Sequence, residues 1–250
     1  KNYLIEKKKW ESENIEQLDM ESTSIINELL NPISEKDERI QGLVLGYVQS
    51  GKTSNMAGII AKAADSGYKF IIIFAGLTDA LRRQTQIRTE EGFLAKNVET
   101  GESVGVGLER IRKSSEMPNC VTNRKKDFTR NLVDSSGYTV ESFKETFLIV
   151  IKKNASILKN LNEWIEDDLQ RIGRSKVDTS LLIIDDEADN ASINTKANSK
   201  NSRRRKSLDV VEDNANYEPS RINGEIRTLI KKFEICSYVA YTATPFANIF

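Results

Sequence analysis

The chain has 250 residues with 37 basic and 37 acidic side chains, no histidine and two cysteines. A net charge of zero does not indicate a globally basic nucleic-acid binder, and no apolar stretch is long enough to span a bilayer, so we expect a cytoplasmic protein without membrane contacts. The lack of histidine excludes Ser-His-Asp and Cys-His catalysis, so any hydrolysis must use carboxylates, lysine or a metal held by oxygen atoms.

The first part of the chain predicts leading helices, a strand, a helix and a second strand. Apolar residues recur at helical spacing over residues 10–30, which predicts one or two helices that end before Pro32. A strand at 43–48 precedes a helix that we expect to end at Ser66-Gly67. The continuous apolar run at 70–75 is typical of a strand covered on both faces in a parallel sheet.

The rest of the chain continues to alternate strands and helices. A helix is predicted over 78–91 with Thr78 as its N-cap, and residues 96–142, rich in Gly, Ser, Asn and charge, indicate an insertion of loops and small elements. One further helix has an apolar face from Ile157 to Ile172, and another lies near 221–235. Three further strands are predicted at 147–151, 181–184 and 238–241. The alternation predicts an α/β fold with a mostly parallel sheet.

A phosphate-binding loop follows the first strand. Residues 46–53 match the Walker A pattern G-x-x-x-x-G-K-T between an apolar run and a helical pattern. In such a loop the backbone N–H groups wrap the phosphates of ATP, the lysine reaches the β- and γ-phosphates, and the threonine hydroxyl binds Mg²⁺. Lys52 and Thr53 are predicted to take these two roles. The predicted nucleotide contacts are Gly46, Gln49, Ser50, Gly51, Lys52, Thr53 and Ser54.

An acidic sequence, Asp185-Asp186-Glu187-Ala188-Asp189, follows the strand at 181–184. The end of a buried strand can place one carboxylate where it holds Mg²⁺ opposite Thr53, and the next carboxylate can orient or deprotonate the attacking water. We assign Asp186 to the metal and Glu187 to the water, and with Lys52 these form the predicted catalytic set. The acidic run leaves open whether Asp185 takes part of the metal role.

A third motif, Thr-Ala-Thr-Pro, follows the last predicted strand. The hydroxyls of Thr242 and Thr244 can bond the neighbouring acidic pair and sense the γ-phosphate, so we expect them, with Asp189, to couple the nucleotide to the rest of the protein. The order of GKT, DEAD and TAT resembles the first motor lobe of superfamily 2 helicases. This resemblance implies a P-loop NTPase of the RecA-like type.

The residue sequences of the motifs are more closely similar to those of one family, the Z-one domain proteins, which carry an endonuclease label. The similarity covers about residues 40–250, and its matching segments are 43–46, 48–53, 75–78, 81–85, Arg88, 183–195 and 241–248. It implies a bacterial ATPase with DNA as its partner, associated with DNA modification and anti-phage defence, so proteins of a defence system are further expected partners. No residues in this chain support nuclease activity.

The resemblance also implies where DNA would contact the chain. In two-lobed motors the loop after the second strand contacts the phosphate backbone, and arginines with an N-terminal hydroxyl suit such contacts. The corresponding residues here are Thr78, Arg82, Arg83 and Arg88. A basic run, Arg203 to Lys206, lies in a loop over about 194–220 that we expect to be mobile. It can be read as a solvated loop or as a phosphate clamp.

We predict a helical N-terminal segment over 1–38 and a motor lobe over 39–250. A helicase-type motor hydrolyses ATP between two lobes, so we expect the second lobe of a longer protein as a partner and poor hydrolysis by this lobe alone. The leading hypothesis is the motor lobe of a DNA translocase. The alternatives are an ATP-gated switch without translocation, a kinase-type phosphotransferase and, least supported, an endonuclease component.

Overall fold

The computed structural model describes residues 4–5, 8–45, 51–109, 118–140, 145–188 and 212–242. Their centre is a six-stranded sheet in which every pair of neighbouring strands is parallel, with helices on both faces. The α/β class and the parallel sheet are therefore as predicted, and the architecture is consistent with a RecA-like fold. Within the described ranges, none of the helices combines the length and apolar character needed to cross a membrane.

The order of the strands brings the acidic strand close to the first one. In chain order the elements are α1 (Ser12–Asn27), β1 (Glu38–Leu45), α2 (Lys52–Ser66), β2 (Phe70–Ala75), α3 (Asp79–Thr89), β3 (Asn119–Cys120), α4 (Arg130–Ser136), β4 (Phe147–Ile151), α5 (Ala155–Ile172), β5 (Leu181–Asp186), α6 (Glu212–Lys231) and β6 (Ile235–Thr242). The spatial order is β1-β6-β5-β2-β4-β3. With neighbouring strands about 4.8 Å apart, β6 separates β1 from β5 by roughly 10 Å.

Alternation along the strands divides the core into two layers. On one face, Phe70 and Ile183 pack with apolar residues of α5 and α6. On the other face, Ile71 and Ile184 pack with the apolar side of α2, against which α1 also lies. Because successive residues of a strand point to opposite faces, the layer of a residue on β5 predicts the layers of its neighbours.

The central strands and most helix ends confirm the sequence-based predictions. All residues of β2 and β4 are buried, as their continuous apolar runs predicted. Helix α2 ends at Ser66, followed by Gly67 in the left-handed conformation with φ 109°. Helix α3 begins after Thr78, whose side chain accepts a hydrogen bond from the Leu81 N–H at 3.3 Å. It continues into a single π-helical turn over Glu90–Leu94.

Other boundaries differ from the predictions because pairing and packing, rather than apolar pattern, define them. Strand β1 begins at Glu38, well before residue 43, because its backbone pairs with β6 from Glu38 to Leu45 although its side chains are mostly exposed. Helix α6 begins at Glu212 and so includes residues that we expected in a loop. The segment 96–142, predicted as an insertion of loops and small elements, does contain small elements: the short strand β3, which pairs with β4 at the edge of the sheet, and the short helix α4.

Candidate functional site

The predicted phosphate loop lies between the end of β1 and the start of α2. The structure describes it from Gly51 onward, and Gly46 to Ser50 lie outside the described residues. Gly51 has φ 76°, a left-handed conformation that glycine adopts without a steric penalty. Lys52 and Thr53 form the first turn of α2, which contains no acidic residue. The positive end of the helix dipole therefore suits an anion at this point.

Asp185 is held in a buried ion pair. Its Oδ1 accepts a hydrogen bond from the Lys153 ammonium at 2.8 Å, and the side chains of both residues are 0% exposed. Its Oδ2 accepts a hydrogen bond from the Tyr238 hydroxyl, and the Tyr238 ring packs against the layer of α5 and α6. Asp185 therefore belongs to the face of the sheet opposite α2.

Asp186 points to the other face. It follows Ile184 at the strand period of two, and Ile184 packs in the layer formed with α2. Its backbone pairs in register with Ala75 at the end of β2. Of the two aspartates at the end of β5, Asp186, to which the sequence assigned the metal, is the one on the side where α2 begins.

The electrostatics of Asp186 connect the two motifs. Burial raises the pKa of Asp186 above its ordinary value because the ionised form loses water, and the negative charge of Glu187 raises it further. The positive charges of Lys52 and Lys153 act in the opposite direction. A bound divalent cation favours the ionised form of a carboxylate, so it would offset the unfavourable effects of burial and of Glu187 on Asp186. The donor set of a Thr53 hydroxyl and an Asp186 carboxylate is the oxygen chemistry that Mg²⁺ prefers.

Glu187 lies in the turn just after β5 with φ 58°, in the left-handed region that non-glycine residues rarely adopt. Its carboxylate lies against the turn after β2, because a Cβ added to Gly76 would come within 3.4 Å of Glu187 Oε2. The next amide, Ala188 N–H, donates to the Tyr241 carbonyl oxygen at 2.8 Å. The turn is therefore fixed against both β2 and β6.

The end of β6 connects the site to the helices on its face. The Tyr241 hydroxyl donates to Asn55 Oδ1 at 2.6 Å, and Asn55 Nδ2 donates to Glu21 on α1 at 3.4 Å. Burial raises the pKa of Tyr241, which keeps its hydroxyl protonated as a donor. The neighbouring Thr242 is buried and pairs in register with Leu45, whereas Thr244 and Asp189 lie outside the described residues.

The arginines predicted to contact DNA have different environments. Arg82 is 3% exposed, and its guanidinium donates to the backbone carbonyls of Asn123 and Arg124 at 2.9 and 3.2 Å, so it is not placed to contact a phosphate backbone. Position 82 lies on the side of α3 that packs on the segment before α4, which the helical pattern alone did not reveal.

Arg88 points toward the phosphate-loop helix. It is exposed, and its Nη1 donates to Thr53 Oγ1 at 2.9 Å. Thr78 and Arg83 are exposed at the start of α3. This hydrogen bond joins α3 to α2 at Thr53, which is itself the candidate metal ligand. The sequence motifs did not predict the contact.

Two cavities lie beside the start of α2. One of about 500 Å³ borders Gly51. Its other walls come from the N-terminal segment, namely Lys9, Trp10, Glu11, Asn14, Gln17, Leu18 and Glu21. The second, of about 550 Å³, extends from Thr53 and Arg88 into an apolar space between α1 and α2. The N-terminal segment, which the sequence predicted to be helical, thus forms a wall of the candidate site.

The described part of the site offers a metal only a few protein oxygen ligands. Among the described residues, no three Asp, Glu, Cys or His side chains cluster as a metal site. Mg²⁺ in nucleotide sites is commonly held by one or two protein oxygens together with phosphates and water.

Comparison with known proteins adds no family assignment. No protein-family model matches the chain, and no match is found among curated proteins. The resemblance to the Z-one domain family and to superfamily 2 helicases therefore stays a prediction from the motifs.

Proposed function

We propose that the chain is the ATP-binding lobe of a DNA translocase, a helicase-like motor of a bacterial DNA-processing or anti-phage defence protein that works in the cytoplasm. One observation carries the proposal: Asp186 lies on the α2 side of the sheet, where the charge of Lys52 acts on it. The GKT and DEAD sequences, far apart in the chain, therefore share one electrostatic environment, as a nucleotide site requires.

Each residue of the site has a role in this proposal. Lys52 neutralises the β- and γ-phosphates, while Thr53 and Asp186 provide oxygen ligands for Mg²⁺. Mg²⁺, when bound, offsets the negative charge that develops on the phosphoryl oxygens. Glu187 orients the attacking water and takes its proton.

The cavity beside Gly51 suits the remainder of the nucleotide. Its volume of about 500 Å³ lies in the range of small-molecule sites. Asn14 and Gln17 offer amide donors and acceptors, and Trp10 offers an aromatic surface for a base. The N-terminal segment would in this way contribute to nucleotide binding.

DNA contacts are assigned to the exposed start of α3. Thr78 and Arg83 can donate to phosphate oxygens there without reading the base sequence. Arg88 would transmit changes between this surface and Thr53 through its hydrogen bond. A second lobe of the same protein would complete the cleft in which ATP is hydrolysed.

An ATP-gated switch without translocation is the second candidate function. It is favoured by the hydrogen bonds that run from Tyr241 through Asn55 to Glu21, because Glu21 lies on an exposed part of α1. Through this connection, bound ATP could alter an outer surface without repeated turnover.

ATP hydrolysis separates the two candidates. The rate is measured for the protein at its full natural length, without DNA and with single- or double-stranded DNA, beside a Glu187→Gln variant of nearly the same shape. Strong stimulation by DNA that is lost in the variant supports the motor. Tight Mg²⁺-ATP binding with a flat, near-zero rate supports the switch and rejects the motor. Absence of Mg²⁺-ATP binding rejects both.

A further inference from the structure

Lys153 is a buried lysine that none of the sequence motifs includes. It is the second residue after β4, and its side chain is 0% exposed. A lysine is rarely buried unless it is paired, because removing its charge from water is unfavourable. Its neighbour Lys152 makes an ordinary contact instead, a salt bridge with the exposed Asp79 at the start of α3. The burial of Lys153 therefore calls for a specific explanation.

The contacts of Lys153 converge on the turn that carries Glu187. Its ammonium donates to Asp185 Oδ1 at 2.8 Å and to the backbone carbonyl oxygen of Glu187 at 2.5 Å. Its backbone N–H donates to the Gly76 carbonyl oxygen at 2.8 Å. One residue thus joins the ends of β2, β4 and β5 at the turn that carries Glu187.

The conformation of Glu187 needs such support. A glutamate with φ 58° is in a sparsely populated region, and such conformations persist where the surroundings fix them. The ammonium of Lys153 accounts for one such constraint, since it binds the carbonyl oxygen of the same residue. Asp185 fixes the ammonium in turn, and Tyr238 fixes Asp185.

We propose that Lys153 is a positioning residue for Glu187: its ammonium, held by Asp185, fixes the backbone of the turn after β5 so that the Glu187 carboxylate is directed toward the reacting water. The part of this proposal that concerns water rests on the function proposed above. The part that concerns the backbone stands on the hydrogen bonds alone. A buried ion pair is by itself weak evidence for a stabilising role, because apolar residues often replace such a pair without loss of stability.

The test compares variants that separate positioning from folding. Lys153→Met alone leaves Asp185 charged and buried, so it can unfold the protein. The double variant Lys153→Met with Asp185→Leu removes both charges and keeps an apolar pair in their place. Lys152→Met is the matched control, since Lys152 is adjacent in sequence but pairs with Asp79 at the surface.

Four quantities are measured on the protein at its full natural length: the Tm, the kcat for ATP, the KM for ATP, and the hydrogen exchange of the Ala188 amide. For the double variant we expect a Tm within a few degrees of the wild type and an unchanged KM. We expect kcat to fall about 10- to 100-fold, the scale of a misplaced catalytic group. Exchange at Ala188 should rise while that of β2 and β4 stays the same. The Lys152→Met control should change none of these.

A double variant that folds and keeps both the wild-type kcat and the wild-type exchange at Ala188 would overturn the proposal. The exchange measurement also separates this inference from the proposed function. If the wild type does not hydrolyse ATP, the proposed function fails. Faster exchange at Ala188 in the double variant would still support the inference that Lys153 fixes the backbone of the turn. Unchanged exchange at Ala188 in the double variant rejects that inference, whatever the result of the ATPase assay.

Discussion

Asp185 and Asp186 are adjacent in the chain, yet substitution to asparagine should strongly destabilise the protein at Asp185 and should not destabilise it at Asp186. Asp185→Asn removes the negative partner of Lys153 while the ammonium stays buried, with both side chains 0% exposed. Breaking a buried pair in this way costs about 3–5 kcal/mol. At about 2–4 °C per kcal/mol for a chain of this size, Tm should fall by about 6–20 °C.

Asp186→Asn should instead leave Tm unchanged or raise it in the ligand-free protein. The pKa of Asp186 is raised in the folded state, so its favourable contribution to stability is complete below its ordinary pKa of 3.8 and is lost as the pH rises through the raised value. At neutral pH the ionised carboxylate is therefore unfavourable, and a neutral amide removes that cost. The advantage of the variant should shrink as the pH is lowered toward 3.8.

The assay is thermal unfolding followed by circular dichroism from pH 8 downward, together with ATP titrations in the presence and absence of Mg²⁺. Asp185→Asn should keep Mg²⁺-dependent ATP binding below its Tm, and Asp186→Asn should lose it. The assignment of the two carboxylates to opposite faces is refuted if Asp186→Asn is the strongly destabilised variant. It is also refuted if Asp185→Asn loses ATP binding while its Tm is unchanged.

Three other substitutions have defined outcomes. Gly76→Ala should destabilise the protein by about 1–3 kcal/mol in urea unfolding, because φ is 68° and the new Cβ would lie 2.9 Å from Leu81 Cδ1. ATP turnover should also fall, because the same Cβ would contact Glu187 Oε2 at 3.4 Å, and wild-type values of both stability and turnover would contradict this. Arg88→Ala should leave stability within about 0.5 kcal/mol. It should tighten Mg²⁺-ATP binding by up to about tenfold in calorimetry, because the hydrogen bond that Thr53 Oγ1 accepts from Arg88 no longer has to break when the hydroxyl binds Mg²⁺. Weaker binding would contradict this. Tyr241→Phe should cost about 1–3 kcal/mol by leaving an acceptor on α2 unpaired, and an unchanged Tm would contradict this.

The parts of the fold that the sequence predicts well are those with local causes. The strands at 70–75 and 147–151 are continuous apolar runs that a fully covered parallel sheet requires. Thr78 caps α3 through its own side chain, and Gly67 ends α2 because glycine adopts the left-handed conformation readily. Each of these signals is contained within a few residues, so pattern alone was sufficient.

The features that the sequence did not predict depend on contacts between distant segments. Strand β1 is longer than its apolar run because it pairs with β6, and Arg82 is buried because a loop some 40 residues away accepts its hydrogen bonds. Lys153 contacts Asp185 across more than 30 residues of sequence. Whether Asp185 shares the metal role assigned to Asp186 depends on the layer in which each side chain lies, and the acidic sequence from Asp185 to Asp189 does not reveal that layer.

In the function proposed above, one Mg²⁺-nucleotide site is formed by Lys52, Thr53, Asp186 and Glu187. The most direct test is isothermal titration calorimetry of the chain with ATP, with and without Mg²⁺, for the wild type, Lys52→Ala and Asp186→Asn. We expect the wild type to bind one ATP per chain in a Mg²⁺-dependent manner, and both folded variants to lose that binding. Absence of binding by the wild type, or binding that neither substitution weakens, would contradict it.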